Sequence, residues 1–292
     1  MTIAAAVDIS AAVQLRWKPG RELGLCPPHS FPIADLTHST GPMPHKRQDA
    51  SDSLDARQMA TTHWSVVLAA GDLQRPDARE ALSKLCESYW YPVYAYARRH
   101  TSSVHVAQDV TQEFFAHLVE KNTVAAADPA RGRFRAFLLT ALKNFLANEW
   151  HKERAQKRGG GRAMLSLDFP SGELRFGGAA ATGSTPDKLF DREWTVTLLD
   201  DVVARLQAEY AAKGNQQLFQ TLKGAIAAGE ERIPFAEAAR VLGMTENAVH
   251  VAAHRLRKRY RELIREEIAH TVSRPDEIDD EIRWMISTLA AE

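Results

Sequence analysis

The sequence predicts an all-α protein: two helical bundles joined by a flexible linker, the second built around a helix-turn-helix. Three observations predict it. Apolar residues recur at steps of three and four through most of the chain after Thr61. No stretch sustains the two-residue alternation of a half-buried strand. Between the helical regions lies "GGGRAMLSLDFPSGELRFGGAAATGS", whose Gly, Ser and Ala content is that of a flexible connector. The resulting division is a disordered or poorly structured leader at 1–56, a bundle at 57–158, a linker at 159–186, a second bundle at 187–271 and an acidic helical extension at 272–292.

The leader mixes Pro, Gly, Ser and His without periodicity, as in "CPPHSFPIADLTHSTGPMPHKRQDASDS". In the first bundle, Asp77 to Ser88 and Trp90 to His100 read as two short helices, with Pro76 and Pro92 near their starts. In "HVAQDVTQEFFAHLVEKN", Val106, Val110, Phe114 and Leu118 repeat every four residues, a buried stripe on one helix. A longer helix runs from Phe134 to Arg158. Phe134, Leu138, Ala141, Leu142 and Phe145 form its apolar face; Asn144, Asn148, His151 and Lys152 fall on another.

The second bundle restarts at "STPDKLF", with Thr185 as N-cap and Pro186 at the first helical position. Leu199, Val202, Val203, Leu206 and Tyr210 continue that helix until Gly214, and "NQQLFQTLKGAIAAG" supplies another. In "FAEAARVLGMTENAVHVAAHRLRKRYREL", Gly243 ends one helix and Thr245 caps the next. Ala239, Gly243 and Val249 fit helix-turn-helix spacing: a small residue for close approach, a glycine turn and an apolar anchor. On the second helix Val249, Ala252, Leu256, Tyr260 and Leu263 are expected inside. His250, His254, Arg257, Lys258 and Arg261 are expected outside.

Zero net charge conceals segregation. From Arg131 to Arg162 nine cations face two acids, Glu149 and Glu153. From Arg240 to Arg261 six cations face Glu246, and the tail from Glu262 carries nine acids against three bases. Two basic patches beside an acidic tail point to a polyanionic ligand. Lys and Arg on a helix after such a turn suit a major groove, reading bases with the N-terminal half and holding phosphates with the C-terminal half.

Other classes are excluded. No apolar run approaches the roughly 20 residues of a membrane span, and the N-terminus lacks a signal-peptide pattern, so a cytoplasmic location is expected. Cys26 and Cys86 suggest neither a disulfide framework nor a zinc site. "RGGGR" lacks the end of a phosphate-binding loop, and "HKER" lacks the second histidine of a zinc protease. No paired acids or activated nucleophile appear, so no catalytic residue, cofactor, metal or enzymatic activity is expected.

Three stretches, in order, resemble bacterial RNA polymerase sigma factors of the sigma-70 family, extracytoplasmic-function group. "DVTQEFFAHL" resembles the segment that docks on core polymerase. "FRAFLLTALKNFLANEWHKERAQKR" resembles the helix that opens and reads the −10 element. "FAEAARVLGMTENAVHVAAHRLRKRYREL" resembles the −35-binding domain. The resemblance implies polymerase contacts from Asp109, Gln112 and Glu113. It implies −10 contacts from Phe134, Asn144, Asn148, Trp150 and Lys152, and −35 contacts from Glu246, Asn247, His250, His254 and Arg255. Arg257 and Lys258 are read from the basic helix as phosphate contacts. Ala252 and His250 replace a frequent Arg and Lys of the family, so the −35 preference does not carry over.

Core RNA polymerase and promoter DNA are the implied partners. An anti-sigma factor or a Ser/Thr kinase is compatible with the same reading; a membrane is not. In the family the positions before "LTQE" are commonly acidic. Here they read Val106, Ala107, Gln108 and Asp109, two charges short, which implies weaker docking. Thr111 is expected on that surface, where phosphorylation would add about −1.5 to −2 charges. In the tail, Ile278, Ile282, Met285, Ile286 and Leu289 give an apolar face. It is expected to pack back on the protein, with its acids covering a basic face. The alternative is a stand-alone helix-turn-helix regulator, which would not need the "DVTQEFF" helix or the aromatic, basic helix after it. A helical enzyme with an appended binding domain would need a catalytic cluster that the sequence lacks.

Overall fold

The computed structural model describes residues 63–101, 103–150, 167–179, 185–226 and 234–290 of the chain. The leader at 1–56 and Lys152 lie outside these residues, as do the side chains of Asn148 and Trp150. Every regular element among the described residues is helical. The helices are α1 (Trp64–Gly71), α2 (Ala78–His100), α3 (Val104–Glu120), α4 (Phe134–Asn144), α5 (Phe169–Ala179), α6 (Pro186–Ala212), α7 (Gln216–Leu222), α8 (Phe235–Leu242), α9 (Glu246–Thr271) and α10 (Ile278–Ala290). Among the described residues no helix is long and apolar enough to cross a membrane, and no group of His, Cys, Asp and Glu could hold a metal ion.

Helix α2 is the axis of the molecule. Seven consecutive residues, Tyr91–Ala97, are buried, so this stretch has no wet face. It packs against α1, α3, α5 and, most extensively, α6. The two short helices expected around Pro92 are one helix of 23 residues. A mid-helix proline costs on the order of 3 kcal/mol. Burial of Tyr91, Val93, Tyr94 and Tyr96 around it offsets that, at about 1.5–3 kcal/mol for each large side chain.

Packing of α6 along α2 changes the expected division. Instead of two bundles held apart, one apolar core runs from Val67 to Met285 and includes residues of both. Part of the expected linker is helix α5, docked on α2. Glu173 accepts from the Tyr94 hydroxyl at 2.5 Å and pairs with Arg98 at 3.0 Å. Arg175 lies over the Tyr91 ring at 3.9 Å and pairs with buried Glu193 at 2.9 Å. Gly172 allows the approach: a Cβ there would meet the Trp90 ring at 3.0 Å. Gly and Ser content dominated the reading of this segment, while Phe169 and Phe176, both buried, hold it down.

Helices α6 and α9 are joined by interleaved charges. Arg205 reaches Glu266 at 2.8 Å and Glu267 at 2.7 Å; Arg259 reaches Glu209 at 2.8 Å and Glu266 at 2.9 Å. His63, at the start of α1, stacks on His270 at 3.8 Å and lies 3.3 Å from Glu267. The acidic tail packs back, as its apolar face predicts: α10 buries Ile282, Met285 and Leu289 and lies on α6 and α9. Ile286, placed on that face too, is partly covered.

Candidate nucleic-acid interface

The loop into α4 is shaped by three residues. Asp128 accepts from the Ala130 amide at 2.9 Å, Pro129 fixes the next turn, and Gly132 has φ of 121°, which a side chain would strain. Arg133 then precedes α4, with Arg135 in its first turn. Leu138, Leu142 and Phe145 are buried along one face. Ala136, Thr140, Lys143, Asn144 and Ala147 are exposed along the other, at steps of three and four. Small side chains on this face let a strand approach the helix; Lys143 and Asn144 supply a cation and an amide. After Asn144 the helix loosens into a π-turn, Phe145–Trp150, which keeps the Phe145 ring in the core, 5.6 Å from Phe114.

The −10 residues implied by the resemblance divide. Asn144 lies on the exposed face. Phe134 does not: it is 3% exposed and packs among Tyr89, Trp64 and Phe137. It continues the apolar stripe of Leu138 and Leu142, so burial overrides presentation to a strand. Asn148, Trp150 and Lys152 fall outside the described side chains.

On α3, Asp109 is exposed, and Gln112 and Glu113 are half-buried. Thr111 corrects the expectation of a surface hydroxyl. It is fully buried, its Oγ1 donating to the Ala107 carbonyl at 2.7 Å. Thr111 lies four residues after buried Ala107 and three before buried Phe114, on the core face of α3. A kinase has no accessible hydroxyl at that position in this conformation.

In the C-terminal half, α8 and α9 are joined by Gly243, Met244 and Thr245. Gly243 is left-handed with φ of 63°, and Thr245 accepts from the Ala248 amide at 3.3 Å. Val249, Leu256, Tyr260 and Leu263 are buried as expected, together with Ala253; Ala252 is half-buried. Glu246, Asn247, His250, His254, Arg255 and Lys258 are exposed on one side of α9. The Phe235 ring meets His250 edge-on at 4.2 Å and orients it. Arg257 differs. Its Nε donates to the Ala225 carbonyl at 2.9 Å, closing the turn after α7, so the geometry gives it a structural task. Arg259, in the same basic run, belongs to the ion network with α6.

Residues 85–156 match the family model for sigma-70 region 2. The match covers less than half of the chain, and what it shows is a likeness of that segment to sigma-70 region 2. In structural terms the matched segment takes in α2 from Leu85, all of α3, and α4 with its π-turn. The face of α4 carrying Asn144 and Lys143 therefore lies within the matched segment, and so does the exposed Asp109 of α3. No curated protein and no solved structure matches the chain. Arg133 and Arg135 also lie within the matched segment, and in the sequence they stand out only as part of a basic run. Their partners, Glu277 and Glu281, stand more than a hundred residues away, and no local spacing reveals them.

Proposed function

We propose that the chain is a dissociable specificity subunit of RNA polymerase, of the extracytoplasmic-function type, acting in the cytoplasm. It docks on core polymerase through Asp109, Gln112 and Glu113 of α3. Region 2 holds the opened −10 strand along the Asn144 and Lys143 face of α4. Helix α9 enters the major groove of the −35 duplex with Asn247, His250 and His254 toward base edges and Lys258 toward phosphate. The observation that carries this reading is the region 2 match, which falls on the segment whose helix has one dry aromatic face and one exposed polar face. The polymerase performs the chemistry; this chain contributes recognition. An anti-sigma factor is the class of partner that would restrain it.

The test is transcription by purified core polymerase with and without the protein, followed by sequencing of the transcripts. New start sites sharing paired upstream elements are expected. A core polymerase whose start sites do not change, with the protein bound to duplex DNA, would favour the stand-alone regulator instead.

A further inference from the structure

The cations that open region 2's helix are already occupied, from the other end of the chain. The Ser273 hydroxyl donates to the Pro129 carbonyl in the loop before α4. Glu277 pairs with Arg133 at 3.6 Å. Glu281, at 1% exposed, pairs with Arg133 at 2.6 Å and with Arg135. The Arg135 guanidinium lies between two indoles, 3.7 Å from the Trp284 ring of α10 and 4.7 Å from the Trp194 ring of α6. Asp191 stands 3.8 Å from the same guanidinium, and Asp187 holds Lys143 at 2.5 Å. Each of Arg133, Arg135 and Lys143 thus faces a carboxylate supplied from α6 or beyond.

We propose that residues 273–290 form an intramolecular latch, which occupies the cations that would otherwise hold a nucleic-acid strand along α4. The inference rests on the region 2 reading above. Carboxylates and phosphates make the same charge-assisted contacts with guanidinium, so tail and strand compete for one set of donors. Arg135 reaches no strand while Glu281 and Trp284 cover it. The latch is also more than surface charge. Ile282, Met285 and Leu289 are buried with it, so salt alone screens it little. A strand engages fully only when α10 lifts from α6 and frees Arg133 and Arg135 together.

The test compares the full chain with a chain ending at Thr271. Truncation leaves Arg135 facing water rather than buried without a partner, so it is milder than replacing Glu281 alone. The probe is a fluorescein-labelled single strand of about 20 nucleotides, longer than most single-strand sites. At low salt the truncated chain should bind at least about tenfold tighter, through the two newly available phosphate contacts of Arg133 and Arg135. A synthetic peptide of residues 272–292 should reverse the gain. Equal affinity of the two proteins, with the helix signal by circular dichroism lowered only by the share of the removed α10, would overturn the latch.

If truncation unfolds the protein, hydrogen exchange on the full chain decides. Saturating oligonucleotide should speed amide exchange across 278–290 and leave 91–97 protected. Unchanged protection of 278–290 in the bound state overturns the proposal. Failure of both proteins to bind the strand would instead sink the reading of region 2 as a strand-binding helix, and the competition with it.

Discussion

Glu281, almost wholly buried on α10, pairs with the guanidinium of Arg135 at the start of α4, 146 positions earlier in the chain. Arg133 also reaches Glu281, at 2.6 Å, and Asp191 stands 3.8 Å from the Arg135 guanidinium. Arg135→Ala should destabilise the protein by up to about 3–5 kcal/mol, because it leaves the buried Glu281 carboxylate with Arg133 alone. Arg135→Lys should recover only part of this, since an ammonium lacks the planar fork and stacks less well between Trp194 and Trp284. Replacing both partners by Met and Leu should cost far less than either single change. Urea unfolding of the four proteins checks the order; single and double variants of equal stability would contradict it.

A second prediction concerns pH. Burial first, then Asp200 and Glu267, pushes the Asp201 carboxyl up to about 7, with Arg175 opposing. The folded protein thus binds this proton more tightly than the unfolded chain does. The associated stability is complete below the unfolded value near 4 and is lost as pH rises through 7. Asp201→Asn should raise stability at pH 8 by roughly 1–3 kcal/mol and leave it nearly unchanged at pH 4. Thermal melts at the two pH values test this, and a gain of equal size at both would refute the titration argument.

Adjacent cations on α9 should behave differently. Lys258→Ala should weaken binding to all duplexes alike and flatten the salt dependence by about one phosphate contact, with no change in melting temperature. Arg257→Ala should lower the melting temperature, because the Ala225 carbonyl loses its donor; a loss of about 1–2 kcal/mol is expected. Matched melts and duplex titrations separate the two. Identical profiles would mean that Arg257 leaves Ala225 to contact phosphate when DNA binds.

Helix α3 carries a fourth prediction. Val106 and Gln108 are half-buried beside exposed Asp109, where the resembled family commonly places acids. The double variant Val106→Asp, Gln108→Glu should tighten binding to core polymerase several-fold at low salt, and less at high salt. Equal affinities at low salt would show that charge at these positions does not set docking strength.

Local rules made much of this fold legible. Thr185 and Thr245 cap their helices, Gly243 turns left-handed, and the Val110, Phe114 and Leu118 stripe lies inside. These features depend on neighbours within about four residues, which is the range that periodicity and capping can sense. The misreadings share the opposite cause. Pro92 is tolerated because α6, far along the chain, helps to wrap α2. The glycine-rich connector contains α5 because two phenylalanines find a groove on α2. Thr111 carries a hydroxyl that looks like a surface group, yet its register on α3 puts it against the core. The candidate site divides in the same way. Asn144, Asp109 and the exposed residues of α9 follow from helical register, whereas the pairing of Arg133 and Arg135 with the tail depends on tertiary packing.

The enclosure of α2 also bears on how the chain is made. His100 leaves the ribosome before any of α6, and 112 residues separate it from Ala212, the end of the helix that covers it. At typical synthesis rates that interval is roughly 6–22 s. Throughout it, the face of α2 that α6 covers awaits a partner whose translation is not yet complete. An aromatic helix without its cover invites association with other nascent chains, so the yield of active protein should depend on translation speed and on chaperones that shield apolar helices. Slower decoding between 101 and 185 would lengthen the wait, and synonymous codon changes in that interval should alter solubility without altering a single residue.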